Sequence, residues 1–238
     1  MIAYTYIWLL LLGGWLLQSG CTSEPADRPL PPTVAVSDHM EVVDTPTVPA
    51  LRPIDYDTAV WTELTQLMPG IYLDIRYATP DNFVGKQMYE CGRCFLRPET
   101  AEAVLSAQEL LAPQGYGLMM LDCYRPRPVQ QRLWEVMPDK RYVTPPSKGS
   151  RHNSGTAIDL TLTDNLGNAL DMGTAYDYFG KEAWPSYTDL PEEVLARRRL
   201  LTATMKEVGL SGITSEWWHF ANYRKRYPLA DWEWPCPR

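Results

Sequence analysis

The chain of 238 residues contains only three histidines, and no long run of basic residues occurs anywhere in it. With so few, His39, His152 and His219 can each be placed individually. The missing basic run, together with a formal net charge of −7, excludes nucleic acid as a partner, because phosphate binding draws its affinity from clustered Lys and Arg. There is no collagen-like repeat. A content of 45% hydrophobic and 21% charged side chains also excludes a disordered chain, which leaves one folded domain with some accessory sequence. The first twenty residues lack charge altogether, with no Asp, Glu, Lys or Arg among them.

That uncharged start is an apolar block from Met1 to Leu17, broken by Gly13-Gly14 and closed by Ser19-Gly20-Cys21. It is short for a ~20-residue membrane span, and small residues before a cysteine suit a signal peptidase. Ser19-Gly20-Cys21 resembles a bacterial lipoprotein processing site, in which Cys21 becomes the lipidated N-terminus; a plain secretory signal and an uncleaved anchor are the alternatives. All three put the domain outside the cytoplasm, and the first implies a membrane-anchored lipoprotein of the cell envelope, in the periplasm. From Thr22 to Pro53 the chain carries seven of its 21 prolines among Thr, Ser, Asp and Glu, which reads as an extended, solvated tether. His39 lies inside it and is a linker residue. The organisation expected is therefore a signal segment at 1–20, a tether at 21–55 and a folded domain at 56–238.

Cys91, Cys94, Cys123 and Cys236 remain for that domain, and an exported chain makes disulfides plausible, with three possible pairings. Free buried thiols and a redox or metal role are the alternatives. No second Cys-x-x-Cys completes a four-ligand zinc site with Cys91 and Cys94.

The domain shows mixed periods. Ile71, Leu73, Ile75 and Tyr77 alternate with Tyr72, Asp74 and Arg76, which predicts a half-buried strand. Helices are predicted over Pro98 to Leu111, over Pro128 to Met137, and over Pro191 to Val208 with Asp189 as N-cap and Gly209 as the stop. Strands are predicted at Gly117 to Leu121, Ala157 to Leu162 and Glu216 to Phe220, with a loop over Pro138 to Arg151. Because strands and helices do not strictly interleave, a single α+β domain is expected rather than a doubly wound parallel sheet.

The chemistry concentrates in two segments, Ser150-Arg151-His152-Asn153-Ser154-Gly155-Thr156-Ala157-Ile158-Asp159 and Ser215-Glu216-Trp217-Trp218-His219-Phe220. His152, Asp159 and His219 offer two nitrogens and one carboxylate oxygen, a set suited to a catalytic zinc that keeps a fourth position open. Glu216 is then a candidate to take a proton from water. By spacing alone, packed or hydrogen-bonded structural residues are the commoner account of a lone His or Asp in such a domain. Residues three apart on a regular strand also face opposite sides, so a bulge or a strand end is needed to bring Glu216 and His219 to one centre.

Ser150-x-His152-x-x-Gly155-x-Ala157-x-Asp159 together with Glu216-x-Trp218-His219 resembles the signature of the zinc D,D-peptidases of the cell wall, most closely the VanX-type D-alanyl-D-alanine dipeptidases of peptidase family M15. Tyr77 to Gly85, Asp122-Cys123-Tyr124-Arg125-Pro126 and Gly155 to Leu162 extend the likeness over about residues 63–238. It implies a central, mostly antiparallel sheet flanked by helices, the Hedgehog/DD-peptidase-like fold. It further implies one Zn²⁺ per chain on His152, Asp159 and His219, Glu216 as general base and then acid, and Arg125 stabilising the developing oxyanion. Tyr77, Ser150 and Asp177 match positions lining the substrate pocket, with Asp177 a candidate partner for the substrate ammonium. The implied substrate is the dipeptide D-Ala-D-Ala, and no protein partner is implied. A D,D- or L,D-carboxypeptidase on peptidoglycan stems is the alternative enzyme, and a non-catalytic wall-binding lipoprotein the alternative outside catalysis.

Overall fold

A computed structural model describes residues 53–237, so the signal segment, Cys21, His39 and the tether as far as residue 52 lie outside the described residues. In chain order the elements are β1 (Thr62–Glu63), α1 (Leu64–Leu67), β2 (Tyr72–Leu73), β3 (Phe95–Leu96), α2 (Pro98–Leu111), β4 (Gly117–Asp122), α3 (Arg127–Val136), β5 (Ala157–Thr163), α4 (Glu192–Glu207), β6 (Ser211–Gly212) and β7 (His219–Ala221). β1 and β3 form a small antiparallel pair. The main sheet has the order β2-β4-β5-β7-β6, with every pairing antiparallel except β2 with β4. This is the α+β arrangement expected.

β5 lies at the centre of the sheet and is buried along its whole length, because its Ile-Asp-Leu-Thr-Leu run sits between two neighbours and beneath helices. Ile158, Leu160 and Leu162 share one face with the core, and Asp159 shares the other with Ala157 and Thr161. α2 begins with Pro98 at its first turn beside Glu99, and turns Ala101, Val104, Ala107 and Leu111 inward at helical spacing. α4 carries Glu192 and Glu193 in its first turn and is followed by Gly209 in a left-handed conformation at φ +84°.

Four expectations are corrected. The strand expected over Ile71 to Tyr77 is only two residues of pairing, because beyond Leu73 the chain turns and Arg76–Ala78 form a helical turn, with Arg76 tied to Asp74 and Asp81. α4 is not capped by Asp189. Pro191 occupies the N-cap position, makes no side-chain bond there, and sets the entry by its own backbone. The last strand starts at His219 rather than Glu216, so Glu216 is free of strand alternation. Asp55, assigned to the tether, accepts two hydrogen bonds from the buried Arg93, which also pairs with Glu63, so the ordered domain already includes it.

Of the three possible pairings the cysteines adopt Cys91–Cys236 and Cys94–Cys123. The first ties down the C-terminal segment, whose Trp232 and Trp234 pack on Phe95 and Tyr124.

Candidate metal centre

The sheet register assembles the site. Asp159 of β5 lies directly opposite His219 of β7, and Asp122 of β4 lies opposite Asp159 on the other side, so three functional side chains form one row across three strands. A register shift between Met120 and Asp122 makes this row possible. Had the ladder continued from Met120↔Leu160 without it, Asp122 would pair with Ile158 and face the apolar core; one extra residue turns it to the site.

His152 comes from the turn ahead of β5, where Gly155 takes the left-handed conformation at φ +72°. A Cβ there would stand 2.4 Å from the Trp61 ring, so the turn requires glycine on two counts. The imidazole Nδ1 lies 2.7 Å from the Cys123 carbonyl, which can only accept. The proton therefore sits on Nδ1, and Nε2 presents its lone pair to the centre.

One donor atom each of His152, Asp159 and His219 lies within 4.8 Å of the others, and all three residues are buried. Asp159 Oδ1 is 2.9 Å from His219 Nδ1 and 3.3 Å from His152 Nε2, and the two imidazole nitrogens are 3.1 Å apart. Two nitrogen lone pairs and a carboxylate oxygen converging in a buried space is the donor set of a divalent metal with an open position, and these residues fit one. The other oxygen of Asp159 accepts a hydrogen bond from the Tyr176 hydroxyl at 2.9 Å. Burial opposes ionisation of Asp159, yet the two histidines outweigh it and hold the carboxyl well below the usual carboxylate range.

Arg125 is locked in place. Its Nε and Nη2 donate to one oxygen of Asp122 at 2.9 and 2.7 Å, and Nη1 donates to Gln130 at 2.9 Å. Tyr89 donates to the other Asp122 oxygen at 2.7 Å. Burial would pull the guanidinium pKa down, but Asp122 and the surrounding tyrosines raise it, so the cation is permanent.

A cavity of about 220 Å³ opens onto the centre. His152, Asp159, His219, Glu216, Arg125, Tyr77, Ser150 and Asp177 all line it, so every site residue expected in the domain is brought to one space. Glu216 has no hydrogen-bond or ion-pair partner among the described residues, and burial, with Asp159 and Asp177 nearby, pushes its carboxyl well above the usual range. Asp177 sits in a left-handed conformation at φ +57° and accepts a 2.7 Å bond from Tyr77. Burial pushes its carboxyl up to about 7, the Tyr77 bond opposing only in part. A second cavity of about 240 Å³, beside Met88, Arg132 and Trp234, contains none of these groups.

A family profile for D-ala-D-ala dipeptidases matches residues 57–234. The chain belongs to this family. A D-alanyl-D-alanine dipeptidase of Escherichia coli (strain K12) is 36% identical over 181 residues, covering 76% of this chain and 94% of the relative. One of Enterococcus faecium is 32% identical over 196 residues, covering 74% and 97%. Among solved structures, VanYB in complex with D-alanine-D-alanine is a distant likeness at 14% identity and TM-score 0.38, covering 54% of this chain and 72% of that one.

Sequence reasoning missed two groups in this dipeptidase-family site. Tyr176, which holds Asp159, sits in an irregular loop with no motif around it. Asp122 stood in the motif Asp-Cys-Tyr-Arg-Pro without a role; an acid three residues before Arg125 was the available signal for the pair they form.

Proposed function

We propose that this chain is a zinc metallopeptidase that hydrolyses D-alanyl-D-alanine to two D-alanines in cell-wall peptide metabolism. The observation that carries the proposal is the convergence of His152, Asp159 and His219 within 4.8 Å on a cavity shared with Glu216 and Arg125. The dipeptidase names of relatives at 36% and 32% identity support the substrate. At about 220 Å³ the cavity is also smaller than the ~300–1,000 Å³ of pockets that take drug-sized ligands, as suits a dipeptide.

Held by the three ligands, one zinc ion would supply a Lewis acid that polarises the peptide carbonyl and acidifies water. Glu216, facing the cavity and made a stronger base by its burial beside Asp159 and Asp177, takes in its ionised form the proton from the attacking water as the water oxygen bonds to the carbonyl carbon. It returns that proton to the leaving nitrogen as the C–N bond breaks. Arg125, held by Asp122 and Gln130, keeps a fixed positive charge at the cavity wall for the oxygen that becomes negative, so no reorganisation is needed at that moment. The Tyr77–Asp177 pair offers the substrate ammonium an anionic partner, and Ser150 lines the same wall.

The test is metal analysis combined with a panel of dipeptides and stem peptides. The proposal expects one zinc per chain and cleavage of free D-Ala-D-Ala. Release of D-Ala from a pentapeptide stem with the free dipeptide left intact would replace it by the carboxypeptidase reading. We further propose a membrane-anchored site of action in the cell envelope, supported by the uncharged start ending at Cys21 and by two cystines, which persist in oxidising compartments. A Cys21→Ala chain that still fractionates with membranes would overturn the lipid anchor.

A further inference from the structure

We propose that the Cys94–Cys123 cystine is a positioning device for the metal centre: it holds the backbone that orients His152, so metal affinity depends on this disulfide and not on Cys91–Cys236. The proposal rests on the reading of His152, Asp159 and His219 as metal ligands.

β4 ends at Asp122, whose pairing with Asp159 beyond the register shift is the last it makes with β5. The next three residues nonetheless hold the site together. The Cys123 carbonyl accepts the Nδ1 proton of His152 at 2.7 Å, the Arg125 amide donates to the His152 carbonyl at 3.1 Å, and the Arg125 carbonyl accepts from Asn153 at 2.7 Å. On its far side this segment is attached to β3 by one backbone hydrogen bond, from Tyr124 to Phe95 at 2.9 Å, and to Cys94, the residue just before β3, by the disulfide from Cys123. Cys94 is anchored in turn, since its carbonyl accepts from Leu64 at 3.0 Å.

One path from Cys94 to the imidazole is therefore a covalent bond followed by one hydrogen bond, beside the Tyr124–Phe95 bond. Hydrogen bonds weaken steeply with misalignment, and the peptide that carries this carbonyl is held towards Phe95 by the disulfide together with the Tyr124 amide bond, so loss of the disulfide removes the covalent one of the two. Loss of a partner that orients a metal-ligating histidine weakens binding by roughly 10–100-fold. Both cysteines are fully buried, at 0% and 1% exposure, which shields this bond from reductant in the folded chain.

Cys91–Cys236 is the internal control. It spans 145 residues against 29 for Cys94–Cys123, so by loop entropy it contributes more to stability. It touches none of the three ligands. The two disulfides should therefore rank in opposite order for stability and for metal affinity.

The experiment compares the full-length chain with Cys94→Ser/Cys123→Ser and Cys91→Ser/Cys236→Ser, reading zinc affinity against a chromophoric chelator, the visible spectrum of the cobalt form, and melting temperature. Expected are zinc binding weakened about tenfold or more and an altered cobalt spectrum in the Cys94/Cys123 pair, with affinity and spectrum unchanged in the Cys91/Cys236 pair despite its lower melting temperature. Unchanged affinity in the first pair, or equal losses in both, would overturn the proposal. If the first pair is unfolded without metal, zinc-driven refolding reads the affinity instead. A chain that no zinc concentration refolds also counts against the proposal, since the cystine then serves the fold at large. A wild-type chain that binds no zinc defeats the metal reading itself, a result distinct from wild type and variant binding equally well.

Discussion

Replacing Tyr176 with Phe isolates one atom of the centre. The hydroxyl donates at 2.9 Å to Asp159 Oδ2, the oxygen turned away from the histidines. The ring itself is held by Tyr77 and Trp218, with centroids at 6.2 and 5.4 Å, and those contacts survive the change. The phenol is a neutral donor under working conditions, because burial and the charge of Asp159 raise its pKa well above the usual value. A hydrogen bond to a charged group contributes about 1.5–3 kcal/mol, and each 1.4 kcal/mol is tenfold in an equilibrium constant. Metal affinity should therefore fall roughly 10–100-fold, in line with other partners that orient ligating carboxylates. Since that bond favours the ionised carboxylate, its removal also lets protons compete better with the metal, so zinc should be lost at a higher pH than from wild type. Competition with a chelating dye across a pH series measures both. A zinc affinity within about twofold of wild type would refute the view that Tyr176 sustains the ligand, because even the weakest such bond predicts more.

Glu216→Gln keeps the shape of the side chain but cannot accept the proton, so the turnover of D-Ala-D-Ala should drop by about 10²–10⁴ with zinc content unchanged; a loss below tenfold would remove Glu216 from the proton transfers. Asp177 titrates at about 7 in the folded chain, above the ordinary aspartate value, so between those values the folded state holds more protons than the unfolded. The stability of the metal-free protein should therefore fall as pH rises from about 4 to 7. Asp177→Asn keeps an acceptor for Tyr77 and removes this loss, so it should melt higher than wild type at pH 8 and lose that advantage near pH 4; a difference in melting temperature independent of pH would sink the argument.

Much of this fold was legible because the signals were local. α2 runs over the residues that its Pro98 start and apolar spacing predict, and β5 differs from its expected span by one residue. The two-residue strands β1, β3 and β6 are too short to have a period at all, and β2 broadcast a longer alternation than it pairs. The obstacle to placing Glu216 beside His219 disappears because the strand begins only at His219. For the site, the ligand types and their neighbours were readable as motifs. Asp122 was not readable as a site residue, since the face it presents is decided by a one-residue shift against β5. Tyr176 meets Asp159 across 17 residues of sequence, through a loop with no repeating pattern.

By itself, then, the sequence determined the residue types available for chemistry, the glycine turn at Gly155, the principal helices and the family pattern, because propensity and periodicity act over a few neighbouring residues. Only the tertiary structure decided that Asp122, Asp159 and His219 form one row, which of three cysteine pairings occurs, and that Tyr176 and the Cys123 carbonyl support the ligands. Those outcomes depend on strand register and on packing between segments far apart in the chain, where a shift of a single residue reverses which face a side chain occupies.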